Sequence, residues 1–134
     1  MSRDEAKAHI SAELGELTMR VLIVDDEPAI RTIVKEALPD FEVVEVGNGE
    51  EAPERIEKRL PDLVVADIKM PQMDGHTLLN HLREQYPDLP VLGLSGLVDI
   101  DEIENQAFDG FIEKPIKLEE FKRLVDETLV KDKG

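Results

Sequence analysis

The sequence predicts an α/β fold: a parallel sheet with helices on both of its faces. Short apolar runs of strand length recur along the chain, and a stretch with helical spacing follows each. The runs are apolar on both faces, as strands buried inside a parallel sheet must be. Strands that alternate with helices make βαβ units, whose right-handed crossovers place helices on either side of the sheet.

Val21–Val24 is the first run, β-branched and closed by Asp25 and Asp26. Pro28 suits a first helical turn, and Ile30, Ile33, Val34, Ala37 and Leu38 then recur at spacings of three and four. Pro39 ends that helix. Glu42–Val46 is the most amphipathic run, which suits a position nearer an edge. Glu50 to Leu60 is a weaker helix, with Pro53 tolerable only in its first turn. Leu63–Ala66 ends in Asp67. His76 to Tyr86 sets Leu78, Leu79 and Leu82 on one helical face, and Pro87 stops it. Val91–Leu94 ends in Ser95, and a short helix is expected from Asp101 to Ala107. Phe111-Ile112 leads into Glu113-Lys114-Pro115. Leu118 to Val130 closes the series, with Phe121, Leu124, Val125 and Leu129 on one side. Residues 1–18 stand apart as an N-terminal extension. Ala6, Ile10, Leu14 and Leu17 fall on one helical face, and an added helix, a disordered leader and a start assigned too early all fit.

A length of 134 residues fits one domain and leaves little room for a second. Sixteen Lys and Arg against 31 Asp and Glu give a net charge of -15, which argues against binding a nucleic-acid backbone. Aromatics are only 4%, so Ile, Leu and Val must fill the core. The absence of Cys removes disulfides, thiolate metal sites and cysteine nucleophiles, and fits a reducing, cytoplasmic setting. No apolar stretch is long enough to span a membrane, and no secretory signal is expected.

Three of the runs end in short oxygen side chains: Asp25 and Asp26, then Asp67, then Ser95. A fourth is followed by Lys114. In an open parallel sheet the carboxyl ends of the strands form one rim, where ligands bind beside the topological switch point. Carboxylates crowded there repel one another unless one takes up a proton or a cation joins them. An all-oxygen ligand set suits a hard ion, and Mg²⁺ is the natural one where a phosphate shares the site. Asp67, Ser95 and Lys114 then read as a phosphoryl-transfer set: a carboxylate nucleophile, a hydroxyl donor and a cation for the phosphoryl oxygens.

The stretch from Val21 to Pro28 resembles the opening of a receiver domain of two-component response regulators. Asp67-Ile-Lys-Met-Pro-Gln-Met-Asp-Gly75 is similar to the stretch around that family's phosphorylation site. Ser95 matches its Ser/Thr position and Lys114-Pro115 its Lys-Pro pair. The resemblance runs from about Met19 to Val130, assigning 19–131 to a receiver. It implies a flavodoxin-like (βα)5 fold with strand order 2-1-3-4-5, an arrangement for which a chemotaxis regulator of this family is a standard example. It also implies that Asp67 is the phosphoacceptor. Asp25, Asp26 and Asp67, with the backbone carbonyl of Lys69, hold Mg²⁺, with Asp25 acting largely through water. Lys114 pairs with the phosphoryl group and Ser95 hydrogen-bonds it. Phe111 stands at the family's aromatic switch position, although packing of the last strand explains it equally well. Pro115 allows a cis peptide. The implied partners are a sensor histidine kinase or a histidine phosphotransfer protein and a downstream effector, with no nucleic acid or membrane bound by this chain. Lys69 and Leu97 flank the family's path for attacking water without offering a group to orient it, so slow loss of the phosphoryl group is expected.

Two other functions compete. A degenerate receiver acting as a phosphorylation-independent interaction module usually lacks an acidic residue or the Lys, and this chain keeps them all. A hydrolase with an aspartyl nucleophile typically has a second Asp two residues further on, where Lys69 stands here. His9, His76 and His81 share no ligand-like spacing, and no glycine-rich loop has the spacing of a nucleotide site. Eighteen residues separate Ser95 from Lys114, about three fewer than the resemblance suggests, or roughly 4.5 Å of helix. A helix of one or two turns is therefore expected in that connection. No output domain is expected within these residues.

Overall fold

The apolar runs form strands β1 (Arg20–Val24), β2 (Glu42–Val46), β3 (Leu63–Asp67), β4 (Val91–Ser95) and β5 (Gly110–Glu113). In this computed structural model, which describes residues 18–69, 75–96 and 108–133, all pair in parallel in one sheet ordered β2-β1-β3-β4-β5. Burial separates the central strands from the edges. Residues of β3 and β4 are buried on both faces, and β1 is buried from Val21 onward. The amphipathic β2 takes one edge, as its composition predicts, and the short β5 takes the other.

Among the described residues the helices are α1 (Pro28–Ala37), α2 (Ala52–Lys58), α3 (Gly75–Gln85) and α4 (Leu118–Lys133). Pro28 occupies the first turn of α1, where its missing N–H costs no intrahelical bond. That helix ends at Ala37, with Leu38 N–H donating to the Lys35 carbonyl just before Pro39. Asn48 Oδ1 accepts the Glu51 N–H at 3.0 Å ahead of α2, and Pro53 falls within the first turn of α2. Helix α2 is two residues shorter than its pattern suggests at each end, because Glu51 serves as N-cap and Arg59 turns extended.

Alternation along the strands divides the core in two. Val21, Ile23, Val65, Leu92 and Leu94 face α1 and α4, where Val34, Phe121, Val125 and Leu129 cover them. Leu22, Val24, Val64, Ala66 and Val91 face α2 and α3, under Ile56, Leu78, Leu79 and Leu82. Arg83 pins the N-terminal end of β4: its Nη1 donates to the Leu89 carbonyl at 2.5 Å and its Nη2 to Asp109 Oδ2 at 2.7 Å. The Val91 N–H reaches the same Asp109 oxygen at 2.7 Å. No described helix is long and apolar enough to cross a membrane. The N-terminal extension up to residue 17, the helix expected at 101–107, Leu97 and residues 70–74 lie outside the described residues.

Candidate functional site

The sheet reverses its winding between β1 and β3, and the side chains that follow these two strands meet at the carboxyl rim. Asp25 lies one residue beyond β1 and is fully buried; Asp67 is the last residue of β3 and is 5% exposed. Carboxylate oxygens of Asp25, Asp26, Glu27 and Asp67 all fall within 4.8 Å of one another. Lys114, directly after β5, extends its ammonium into this group. Its Nζ lies 3.0 Å from Asp67 Oδ2, 3.2 Å from Asp25 Oδ2 and 3.4 Å from Glu27 Oε1. The Lys114–Pro115 peptide is cis, as the Lys-Pro pair suggests.

Backbone groups aim the carboxylates. Asp25 Oδ1 accepts the Glu27 N–H at 2.8 Å, and Asp67 Oδ1 accepts the Lys69 N–H at 3.1 Å. Each is an aspartate closing a turn on the amide two residues ahead. Ser95 is buried at the end of β4, and its carbonyl accepts the Lys114 N–H at 2.7 Å, tying the hydroxyl-bearing residue to the lysine. Phe111 is half-buried on β5, with its ring centroid 5.1 Å from that of Phe108. The structure thus joins Asp25, Asp26, Asp67 and Lys114 directly, with Lys69 tied in through its amide and Ser95 through its carbonyl.

The electrostatics are those of a site short of positive charge. Burial raises the Asp25 carboxyl to about 6; the Glu27 amide opposes this, and the Asp67 charge adds to it. Burial also raises Asp67, against the hydrogen bond and charge of Lys114. Burial alone would lower Lys114, but its hydrogen bond to Asp67 and the charges of Asp25 and Asp67 outweigh that and raise it. One ammonium therefore serves several carboxylates.

Asp25 Oδ2 shows that the residues fit a cation. This atom is buried and accepts no hydrogen bond, and its one close positive partner among the described residues is the Lys114 ammonium at 3.2 Å. A hard cation among these oxygens would satisfy it, and the all-carboxylate donor set suits Mg²⁺.

Glu27 and Arg31 join the site in addition to the residues that the strand-end pattern picks out. Glu27 directly continues the acidic pair, a signal that was there to read. It is the N-cap of α1, yet its side chain makes no capping bond and pairs with Lys114 instead. Arg31 donates from Nη1 to the Asp25 carbonyl at 2.6 Å, a contact made through loop closure with no signature in residue spacing.

Residues 21–126 match the family model described as the response regulator receiver domain. The response regulator Rre1 of Synechocystis is 36% identical over 123 residues, covering 85% of this chain and 53% of the relative. The sensor kinase CckA of Brucella abortus is 38% identical over 118 residues, covering 83% of this chain and 12% of that protein. The chain therefore spans about half or less of the length of these curated relatives. The solved receiver domain of NtrX from Brucella abortus superposes with a TM-score of 0.76 at 32% identity, covering 82% of this chain and 98% of that one. The order 2-1-3-4-5, the acidic rim with its lysine, and these matches lead to one conclusion: the chain belongs to the receiver domain family of two-component response regulators.

Proposed function

We propose that this receiver is a switch driven by phosphorylation of Asp67 in a Mg²⁺-dependent reaction. The contact that carries the reading is Lys114 Nζ at 3.0 Å from Asp67 Oδ2, inside a cluster of carboxylates able to hold a cation. An oxygen of Asp67 attacks the phosphorus of a phosphohistidine on a sensor histidine kinase or a phosphotransfer protein. An O–P bond forms as the P–N bond breaks, and the imidazole leaves neutral because its other nitrogen already holds a proton. Asp25, Asp26 and Asp67, with the Lys69 carbonyl, would hold the metal, which when bound supplies positive charge to the phosphoryl oxygens.

Lys114 keeps its proton at neutral pH and stays cationic, ready to pair with the new phosphoryl group. Ser95 donates its hydroxyl to a phosphoryl oxygen, and Phe111, on the neighbouring strand, follows its position. The changed surface is read by a downstream effector in the cytoplasm. The chain does no chemistry on an outside substrate beyond accepting its own phosphoryl group and slowly losing it. A degenerate module has no support here, since neither an acidic residue nor the lysine is missing.

Acetyl phosphate with Mg²⁺ is the test. Intact-mass measurement should show one phosphoryl group added to the wild type and none to Asp67→Asn. Equal labelling of the two proteins, or none in the wild type with Mg²⁺ present, refutes the proposal.

A further inference from the structure

The carbonyl of Asp25 sits at the corner where the chain leaves β1 and turns into α1. We propose that Arg31, in the first turn of α1, is a positioning residue for the acidic rim. It fixes the Asp25–Asp26 peptide and so aims both aspartates. The inference rests on reading the rim as a Mg²⁺-assisted phosphoacceptor site.

Asp25 is held almost completely. Its N–H donates to the Val46 carbonyl at 3.1 Å, its Oδ1 accepts the Glu27 N–H at 2.8 Å, and its carbonyl accepts Arg31 Nη1 at 2.6 Å. Only Oδ2 is left without a hydrogen bond, and it faces Lys114. Arg31 is itself anchored: Nε donates to Glu45 Oε1 on the edge strand β2 at 3.3 Å, and Lys35 Nζ lies 3.5 Å from the other oxygen of Glu45. The Arg31 side chain is 18% exposed and its bond to the Asp25 carbonyl is partly buried, whereas its Glu45 end is open to solvent.

A guanidinium is a planar fork with donors in fixed directions, so one side chain spans both acceptors at once. The Asp25 carbonyl and the Asp26 N–H share one rigid peptide plane. Turning that plane would redirect the Asp26 side chain and break a charge-assisted bond. Arg31 thus transmits the position of β2 to the corner that carries two of the acidic side chains, while touching neither carboxylate.

The first readout needs no metal. Hydrogen exchange at the Glu27 amide, which bonds Asp25 Oδ1, should be about tenfold faster in Arg31→Met than in the wild type. Arg31→Lys, which keeps a cationic donor for the carbonyl but loses the second arm to Glu45, should recover part of this, to within about threefold. Calorimetric titration with Mg²⁺ should follow the same pattern, with a dissociation constant about tenfold higher in Arg31→Met and partly recovered in Arg31→Lys. Arg31→Gln, too short to reach the carbonyl, replaces the Met variant if that variant does not fold. Wild-type exchange at Glu27 in the Met or Gln variant overturns the proposal, and so does a loss that Lys does not recover. Failure of the wild type to bind Mg²⁺ would instead refute the reading of the rim, and the exchange result would still decide the role of Arg31.

Discussion

Asp25 is fully buried, and burial raises its carboxyl from 3.8 to about 6. A carboxyl that holds its proton more tightly when folded adds stability below its unfolded value, and that contribution is lost as pH rises through about 6. At neutral pH the charged Asp25 therefore costs the metal-free protein about 3 kcal/mol. Asp25→Asn keeps the oxygen that accepts the Glu27 amide and removes the charge. It should raise metal-free stability at pH 7.5 by about 2 kcal/mol in urea unfolding, and the gain should vanish near pH 4. A destabilised variant at pH 7.5 would show that Asp25 does not carry this cost. Lys114, Asp67 and Ser95 were legible in the sequence because each stands at or just after a strand end, where topology alone brings them together. Glu27 and Arg31 were not, since their partners depend on how the corner after β1 closes.

At the scale of elements, Gly93 shows how β4 and β5 fit together. It pairs with Phe111 across the two strands, and a Cβ at Gly93 would lie 3.0 Å from the Phe111 ring and 3.3 Å from Phe108. A side chain there forces the Phe111 ring to move. Gly93→Ala should cost about 1–3 kcal/mol by chemical denaturation and shift the Phe111 ring resonances, while Gly47→Ala, with only ordinary contact at 3.7 Å, should leave them in place. Unchanged Phe111 resonances in Gly93→Ala would mean that the ring does not rest against this glycine. The strands were legible because parallel sheets demand unbroken apolar runs, and β2 announced its edge position through its two glutamates. The ends of α2 were not, since Glu51 and Arg59 are as compatible with a helix as with its caps. The packing of Phe111 on Gly93 was also hidden, because register between β4 and β5 depends on a connection whose length the sequence gives and whose path it does not.

The whole molecule carries a net charge of -15, and its candidate site opens on the acidic rim. A small anionic phosphodonor must approach against that field. Salt shortens the reach of the field to about 10 Å at 0.1 M ionic strength. At saturating Mg²⁺, the initial rate of labelling by acetyl phosphate should therefore rise about two- to fivefold between 20 and 300 mM KCl, roughly as screening of long-range repulsion allows. A rate that falls with salt would place the controlling charge elsewhere. The fold class was legible at this scale because alternating strands and helices admit few topologies. The strand order came from the family resemblance, because apolar periodicity says which segments pack but not in which sequence they lie side by side.

The divided core has a consequence for how errors combine. Val64 and Val65 are adjacent in the chain, yet one belongs to the α2–α3 side and the other to the α1–α4 side. Ile23 and Val65 lie far apart in sequence but are register partners within one cluster. Damage at Val64 and Val65 should accumulate as two independent faults, with Val64→Ala and Val65→Ala summing to within about 0.5 kcal/mol. Damage at Ile23 and Val65 should interact, because the second truncation enlarges a hole that the first began. A double-mutant cycle on each pair tests this, and equal coupling in both would mean that the sheet does not insulate its faces. If it does, the two faces can vary separately, and a step of one residue along a strand moves a mutation from one history of substitution into another.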